Sequence, residues 1–291
     1  MAAPDLDLVL DRIGFLDPLA DALQKRFGRA LADGGPPAAR AKDLLNGRWL
    51  GHPLHPLLTD VPIGAWTAST LLDLAGGSQA ALAPASDWLV GLGCASGALA
   101  ALAGMADWHD SYGAERRLGL AHALLNSSAL GLFSTALGLR LGGQRRAARP
   151  LAVAGFLLAA AGAYLGGDLV FRLGTQVNRN AWVEGPADWQ DAAAATEVTP
   201  GRLLKCEVAG ISVVLTRLRG EICAVGSICS HAGGPLEEGA VEDGSVTCPW
   251  HGSRFDLGSG AVLLGPACAA LPRYEVRVTE RGRVELRQAE R

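Results

Sequence analysis

The sequence predicts a membrane α-helical bundle of four spans followed by an all-β soluble domain. Three observations carry the prediction. Four stretches, about 57–75, 89–106, 119–141 and 151–173, are apolar over lengths close to the roughly 20 residues that cross ~30 Å of hydrocarbon. Their charges sit near the ends, and none shows the polar face that a long soluble helix repeats every 3.6 residues. After residue 195 the pattern changes to short runs typical of strands. The whole chain is 49% hydrophobic with 38 Gly and only 19% charged, more apolar than an ordinary soluble domain.

The order of elements follows from these shifts. Residues 1–48 are expected to be an amphipathic N-terminal segment, 49–178 a four-helix transmembrane domain, 179–195 a linker and 196–291 the β domain. The N-terminal segment carries the helical stripe Leu6, Val9, Leu10, Ile13, Leu16, Leu19, Leu23, Phe27 and Leu31, with Asp and Arg on the other side. It is too charged to span and is expected to lie on the membrane surface or on the β domain. An acid at Asp5 and the lack of a basic start argue against a cleavable signal. Small residues recur every fourth position at Gly93, Gly97 and Ala101 and at Gly162 and Gly166, which lets helices approach closely.

Basic residues set the orientation. Arg12, Lys25, Arg26, Arg29, Arg40, Lys42 and Arg48, with Arg116, Arg117, Arg172 and Arg179, fall on one side. Arg140, Arg145, Arg146 and Arg149 fall on the other, and the 76–88 loop has none. The positive-inside rule then places both termini in the cytoplasm, in a multi-pass plasma (inner) membrane protein. The 26 Lys and Arg against 29 Asp and Glu give a net charge of -3, with no electrostatic footprint for nucleic acid. Six Cys are too sparse for a disulfide-stapled scaffold.

The chemistry-bearing residues are Cys229-Ser-His231 and, after sixteen intervening residues, Cys248-Pro-Trp-His251. Two thiolates and two imidazoles in mixed boxes can hold a [2Fe–2S] cluster asymmetrically, the Cys on one iron and the His on the other. A structural zinc site also accepts two Cys and two His, but a finger pairs like with like. Cys94, Cys206, Cys223 and Cys268 are read as small buried apolar residues.

The segment CSHAGGPLEEG…CPWHGSRFDLGSG resembles the Rieske ferredoxin family over about residues 196–288. The resemblance implies a small antiparallel β-structure with the cluster loops at one tip. Runs at 203–208, 212–218, 222–225, 274–278 and 284–286 suit its strands, and Gly265-Pro266 falls where the family has a proline loop over the cluster. Gly233 and Trp250 stand at or near positions where the respiratory-complex type carries extra Cys, so the likeness is to the ferredoxin type. Ser253 can donate a hydrogen bond to a sulfide and Phe255 cannot. The midpoint is therefore expected in the lower half of the ~-150 to +300 mV Rieske window.

The other four His lie in the helical half. By topology His52, His55, His109 and His122 fall at one membrane face, with Asp60, Asp107 and Asp110 in the same layer. Ionisable groups at membrane depth are costly and usually functional. His52, His55, His109, His122 and Asp60 form a candidate second redox site, for haem, quinone or a bare metal. The Pro after His52 and after His55 disfavours helix there, so both are expected in an extended lead-in. The motif GHPLHPLLTDVPIG resembles an uncharacterised bacterial membrane family, over roughly residues 47–178, that is sometimes joined to a Rieske domain.

The expected function is one-electron transfer by a membrane-anchored iron–sulfur protein, working with a redox partner protein or a membrane quinone. The alternatives are a redox-sensing or structural membrane module and the electron-donor component of an oxygenase system. A Rieske oxygenase itself needs a second iron site with two His and a carboxylate, and no His follows His251.

Overall fold

The computed structural model describes residues 6–75 and 80–289; Asp5 and residues 76–79, the start of the loop read as free of basic residues, lie outside them. The chain divides into two compact units. One is made of the residues up to Leu45 with Pro53–Thr175, the other of Asn46–His52 with the residues from Gln176 on.

The helical unit contains α1 (Leu6–Arg12), α2 (Asp17–Asn46), α3 (Leu54–Ala75), α4 (Ala83–Trp108), α5 (Gly113–Leu141) and α6 (Arg145–Phe171). The N-terminal stripe is not one helix. A 3₁₀ turn at Gly14–Leu16 separates α1 from α2. Within α2, Gly35 takes φ 56° ahead of Pro36 and Pro37, where the missing N–H groups and ring clashes kink a helix. Part of the stripe packs on α5. Leu10 packs against Leu118, and Leu16 and Ala20 against Leu120, all on α5. Arg117 donates to Asp17 and Arg116 pairs with Asp21 along the same seam.

Three helices, α4, α5 and α6, are long and apolar enough to cross a membrane, one fewer than expected. The fourth, α3, is helical over 22 residues, but Thr59, Asp60, Thr67, Ser69, Thr70 and Asp73 dilute its apolarity. In the bundle α3 packs on α4, α5 on α6, and α4 on α5, with α3 and α6 closing the ring. Its core is Trp66, Val90, Phe133, Ala136, Ala148 and Ala152, and the Trp66 and Phe133 rings stack at 4.4 Å and 7°. Leu71, Leu74, Leu92, Leu99, Leu102 and Leu157 point outward and are exposed. Small residues inside and leucines outside is the polarity of a bundle solvated by lipid. At one end the buried Arg140 is held by Asp73, by Ser86 Oγ at 2.7 Å and by Asp87 at 3.4 Å.

The second unit is antiparallel β throughout its two sheets. One has strand order β1-β10-β9-β4-β3-β2, with β1 (Gln190–Ala194), β2 (Leu204–Val208), β3 (Ile211–Leu218), β4 (Glu221–Gly226), β9 (Arg273–Val278) and β10 (Arg283–Gln288). The other runs β5-β6-β7-β8, with β5 (Ala240–Glu242), β6 (Ser245–Thr247), β7 (Arg254–Asp256) and β8 (Val262–Leu264). Strand β1 lies within the stretch read as linker and pairs with β10. Three hairpins turn on two residues with positive φ, Ala209-Gly210, Arg219-Gly220 and Asp243-Gly244. That is the I′ geometry matched to strand twist. Cys206 and Cys223 lie on β2 and β4 and Cys94 on α4; these three and Cys268 are half-buried rather than buried, and no disulfide joins any of the six Cys.

Candidate metal centre

Two loops of like construction carry the Cys and His boxes. The first follows β4. Cys229 N–H donates to Gly234 O at 2.9 Å and Gly233 N–H returns to Cys229 O at 2.9 Å. The second follows β6. Cys248 N–H donates to Ser253 O at 2.8 Å and Gly252 N–H returns to Cys248 O at 3.1 Å. The fourth residue after each Cys is a glycine in the left-handed region, Gly233 at φ 84° and Gly252 at φ 75°, where a Cβ would be strained.

The closed turns aim backbone N–H groups at the sulfurs. Those of His231 and Ala232 reach Cys229, and those of Trp250 and His251 reach Cys248. The two thiols share a hydrogen bond, which raises the Cys229 thiol, with burial adding to the rise. The same bond pulls Cys248 down to about 6, helped by its two N–H donors and opposed by burial. Both Cys lie in the core with Val214, Leu236, Val246, Phe255 and Leu271. The His231 and His251 rings stand 5.0 Å apart at 89°.

The four side chains therefore form a thiol pair and an imidazole pair. Among the described residues no three His, Cys, Asp or Glu side chains close on a single point. This donor set fits a [2Fe–2S] cluster, with sulfur donors for one iron and nitrogen donors for the other. A cradle is kept open as well, since a Cβ on Gly234 would fall 2.8 Å from Cys248 Sγ and 3.1 Å from the Trp250 ring.

A third loop ties the boxes together. Ser230 Oγ donates to Ala269 O at 2.6 Å, and Ala267 N–H donates to Ser253 Oγ at 3.0 Å. The Gly265-Pro266 loop thus meets both boxes, and Ser253 keeps its own O–H to donate. Asn180 Nδ2 donates to Ile228 O at 2.8 Å and Arg179 N–H to Ser230 O at 3.1 Å, bracing the first box from the linker side. These braces were not read from the sequence, because nothing local marks a residue whose partner is distant along the chain.

The helical unit separates the other His. His55 is not in an extended lead-in. It lies in the first turn of α3, where the N–H that Pro56 lacks has no helical partner anyway. Its Nδ1 meets Ala100 O at 2.8 Å, and His122 Nδ1 meets Gly162 O at 2.8 Å. The two rings face each other at 6.0 Å and 82°. His109 packs on Phe27 at 5.1 Å and bonds Asp110, which also pairs with Lys42. Asp60 lies on the exposed side of α3, and His52 belongs to the 46–52 segment of the other unit.

Comparison with known proteins gives two family matches. Residues 188–275 match the Rieske [2Fe-2S] domain, and residues 51–179 match "Predicted membrane protein (DUF2231)". The ferredoxin component of a naphthalene 1,2-dioxygenase system from Pseudomonas aeruginosa is 32% identical over 90 residues, 31% of this chain and 86% of that one. The ferredoxin subunit of an anthranilate 1,2-dioxygenase from Burkholderia cepacia is 31% identical over 100 residues, 34% of this chain and 92% of that one. Among solved structures, the ferredoxin of carbazole 1,9a-dioxygenase from Nocardioides aromaticivorans matches at 25% identity and a TM-score of 0.34, covering 35% of this chain and all of the other.

Proposed function

The chain belongs to the Rieske [2Fe–2S] family through its C-terminal domain, and from that premise we propose that Cys229, Cys248, His231 and His251 hold the cluster of a membrane-anchored one-electron carrier. The mirrored turns around Cys229 and Cys248 carry this reading. Bound there, the cluster accepts and releases single electrons without making or breaking bonds to carbon. The chain's own residues set the terms. Six-residue backbone turns fix both sulfurs, N–H donors favour their ionised forms, and the core around Phe255 excludes water. His231 is 8% exposed and His251 more so, which makes the His251 edge, beside the exposed Trp250, the route by which electrons leave.

The partner is a redox protein or a membrane quinone. A donor role toward an oxygenase is the second reading, favoured by relatives described as ferredoxin components of dioxygenase systems. The apolar helices anchor the carrier in the plasma membrane, with both termini in the cytoplasm, and His55 and His122 form a second centre inside the bundle. The test is low-temperature EPR of the detergent-purified, dithionite-reduced protein. A rhombic signal with mean g below the free-electron value, lost in Cys248→Ser and in His251→Ala, is the expected result. A colourless protein after iron and sulfide reconstitution, or one binding a single tetrahedral ion, would sink the proposal.

A further inference from the structure

The four-helix bundle is built from two copies of one helical hairpin. On α3 and α5, His55 and His122, Trp66 and Phe133, and Asp73 and Arg140 are separated by one constant interval along the chain. On α4 and α6, Gly93 and Gly155, Ala100 and Gly162, and Gly104 and Gly166 share a second constant interval. The contacts repeat with the sequence. A Cβ on Gly104 would fall 2.9 Å from the His55 ring, and one on Gly166 3.1 Å from the His122 ring. Trp66 packs on Gly93 as Phe133 packs on Gly155. Each His bonds the carbonyl one turn before its glycine, Ala100 O in one hairpin and Gly162 O in the other, both at 2.8 Å.

Equivalent residues then meet each other across a pseudo-twofold axis. Trp66 stacks on Phe133, Asp73 pairs with Arg140, and His55 faces His122. A carbonyl oxygen can only accept, so each Nδ1 carries the proton and each Nε2 keeps a lone pair. A ring orientation fixed through one nitrogen by a backbone carbonyl is the usual arrangement of a metal-ligating imidazole. Asn126 Nδ2 lies 3.4 Å from both nitrogens of His122, while its close bond at 2.9 Å goes to His122 O.

We propose that His55 and His122 are the two axial ligands of one haem, bound on this axis between α3 and α5. This gives a chemical identity to the second centre named above and rests on that reading. Two metal–nitrogen bonds of about 2.0–2.1 Å each separate the donor atoms by roughly 4 Å, and the two rings make up the rest of the 6.0 Å between centroids. Two protein ligands are too few for a bare ion, which wants four or more. A porphyrin supplies the other four donors itself. The residues against the two rings are Ala100 and Gly104 on α4 and Gly162 and Gly166 on α6, all small. The sequence has no C-x-x-C-H attachment motif, so the haem is held without thioether bonds.

The test is a hemin titration of the full-length protein in detergent, followed by visible spectra and EPR. The expected result is one haem per chain with a low-spin, bis-nitrogen ferric spectrum. His55→Gln and His122→Gln each weaken hemin binding on the order of 10–100-fold, while Thr67→Ala on the exposed side of α3 does not. His55→Met keeps a ligand and shifts the spectrum to mixed nitrogen–sulfur ligation, a change that loss of packing alone would not produce. The Rieske EPR signal, read in the same samples, reports separately on the cluster. Wild-type protein that shows the cluster signal but takes no low-spin haem overturns the proposal and leaves the cluster reading intact. So does binding as tight in the His55→Gln/His122→Gln double variant as in the wild type, or one bare metal ion at this pair. Haem bands without a cluster signal would uphold this site and refute the cluster assignment.

Discussion

Gly234 shows how a single missing side chain shapes the metal centre. A methyl there would press on Cys248 Sγ and on the Trp250 ring. Gly234→Ala should cost about 1–3 kcal/mol, the usual penalty for overpacking, and should release iron at lower urea than the wild type. Phe255 is buried in the same core. Phe255→Tyr offers a hydroxyl that can reach the cluster sulfurs and should raise the midpoint by tens of millivolts, where ~59 mV is one decade for one electron. A redox titration checks it, and an unchanged midpoint would mean that the hydroxyl points elsewhere. Asp110 works outside the spans. Burial would raise its carboxyl, but the His109 hydrogen bond and the Lys42 charge overcome burial and hold it below the ordinary carboxylate range. Its stabilisation is therefore present above pH ~4 and is lost as pH falls through the lowered value. The melting temperature of the wild type should drop more steeply than that of Asp110→Asn between pH ~5 and ~3. The Cys and His boxes were legible because their chemistry is packed into a few consecutive residues. The choice of His55 and His122 from four candidates was not, because it depends on which way each helix is rotated.

At the level of elements, glycines decide how closely helices meet. A Cβ on Gly93 would reach 2.5 Å from Trp66 Cδ1, whereas one on Gly131 meets nothing within 4 Å. Gly93→Val should lower the melting temperature in detergent, at a cost of roughly 1–3 kcal/mol. Gly131→Val should leave it nearly unchanged, and equal effects would contradict the packing described. The sequence located β2, β3, β4, β9 and β10 from runs of three to seven residues with a strand-forming pattern. It passed over β5 to β8, which are three residues long, and β1, whose Gln-Asp-Ala-Ala-Ala has little strand propensity. Their positions come from pairing with neighbours, which a local pattern does not contain.

The whole molecule combines an apolar-faced bundle with an all-β domain. Its bundle exterior is leucine-rich and its three apolar helices run 26, 29 and 27 residues. The protein should stay in the membrane pellet after an alkaline carbonate wash and enter solution only with detergent. Recovery in the wash would contradict the anchoring role. The division into two parts was legible as a change of composition near residue 180. The hairpin duplication was not, because few residues are identical between the copies and the match lies in spacing and contacts.

The opposed charges of Asp73 and Arg140 have a consequence for ancestry. Were the first hairpin to associate with a duplicate of itself, two carboxylates would confront each other at that end; the second hairpin would bring two guanidinium groups together. Each half has become the complement of its sibling, so the charges disfavour any pairing of like halves.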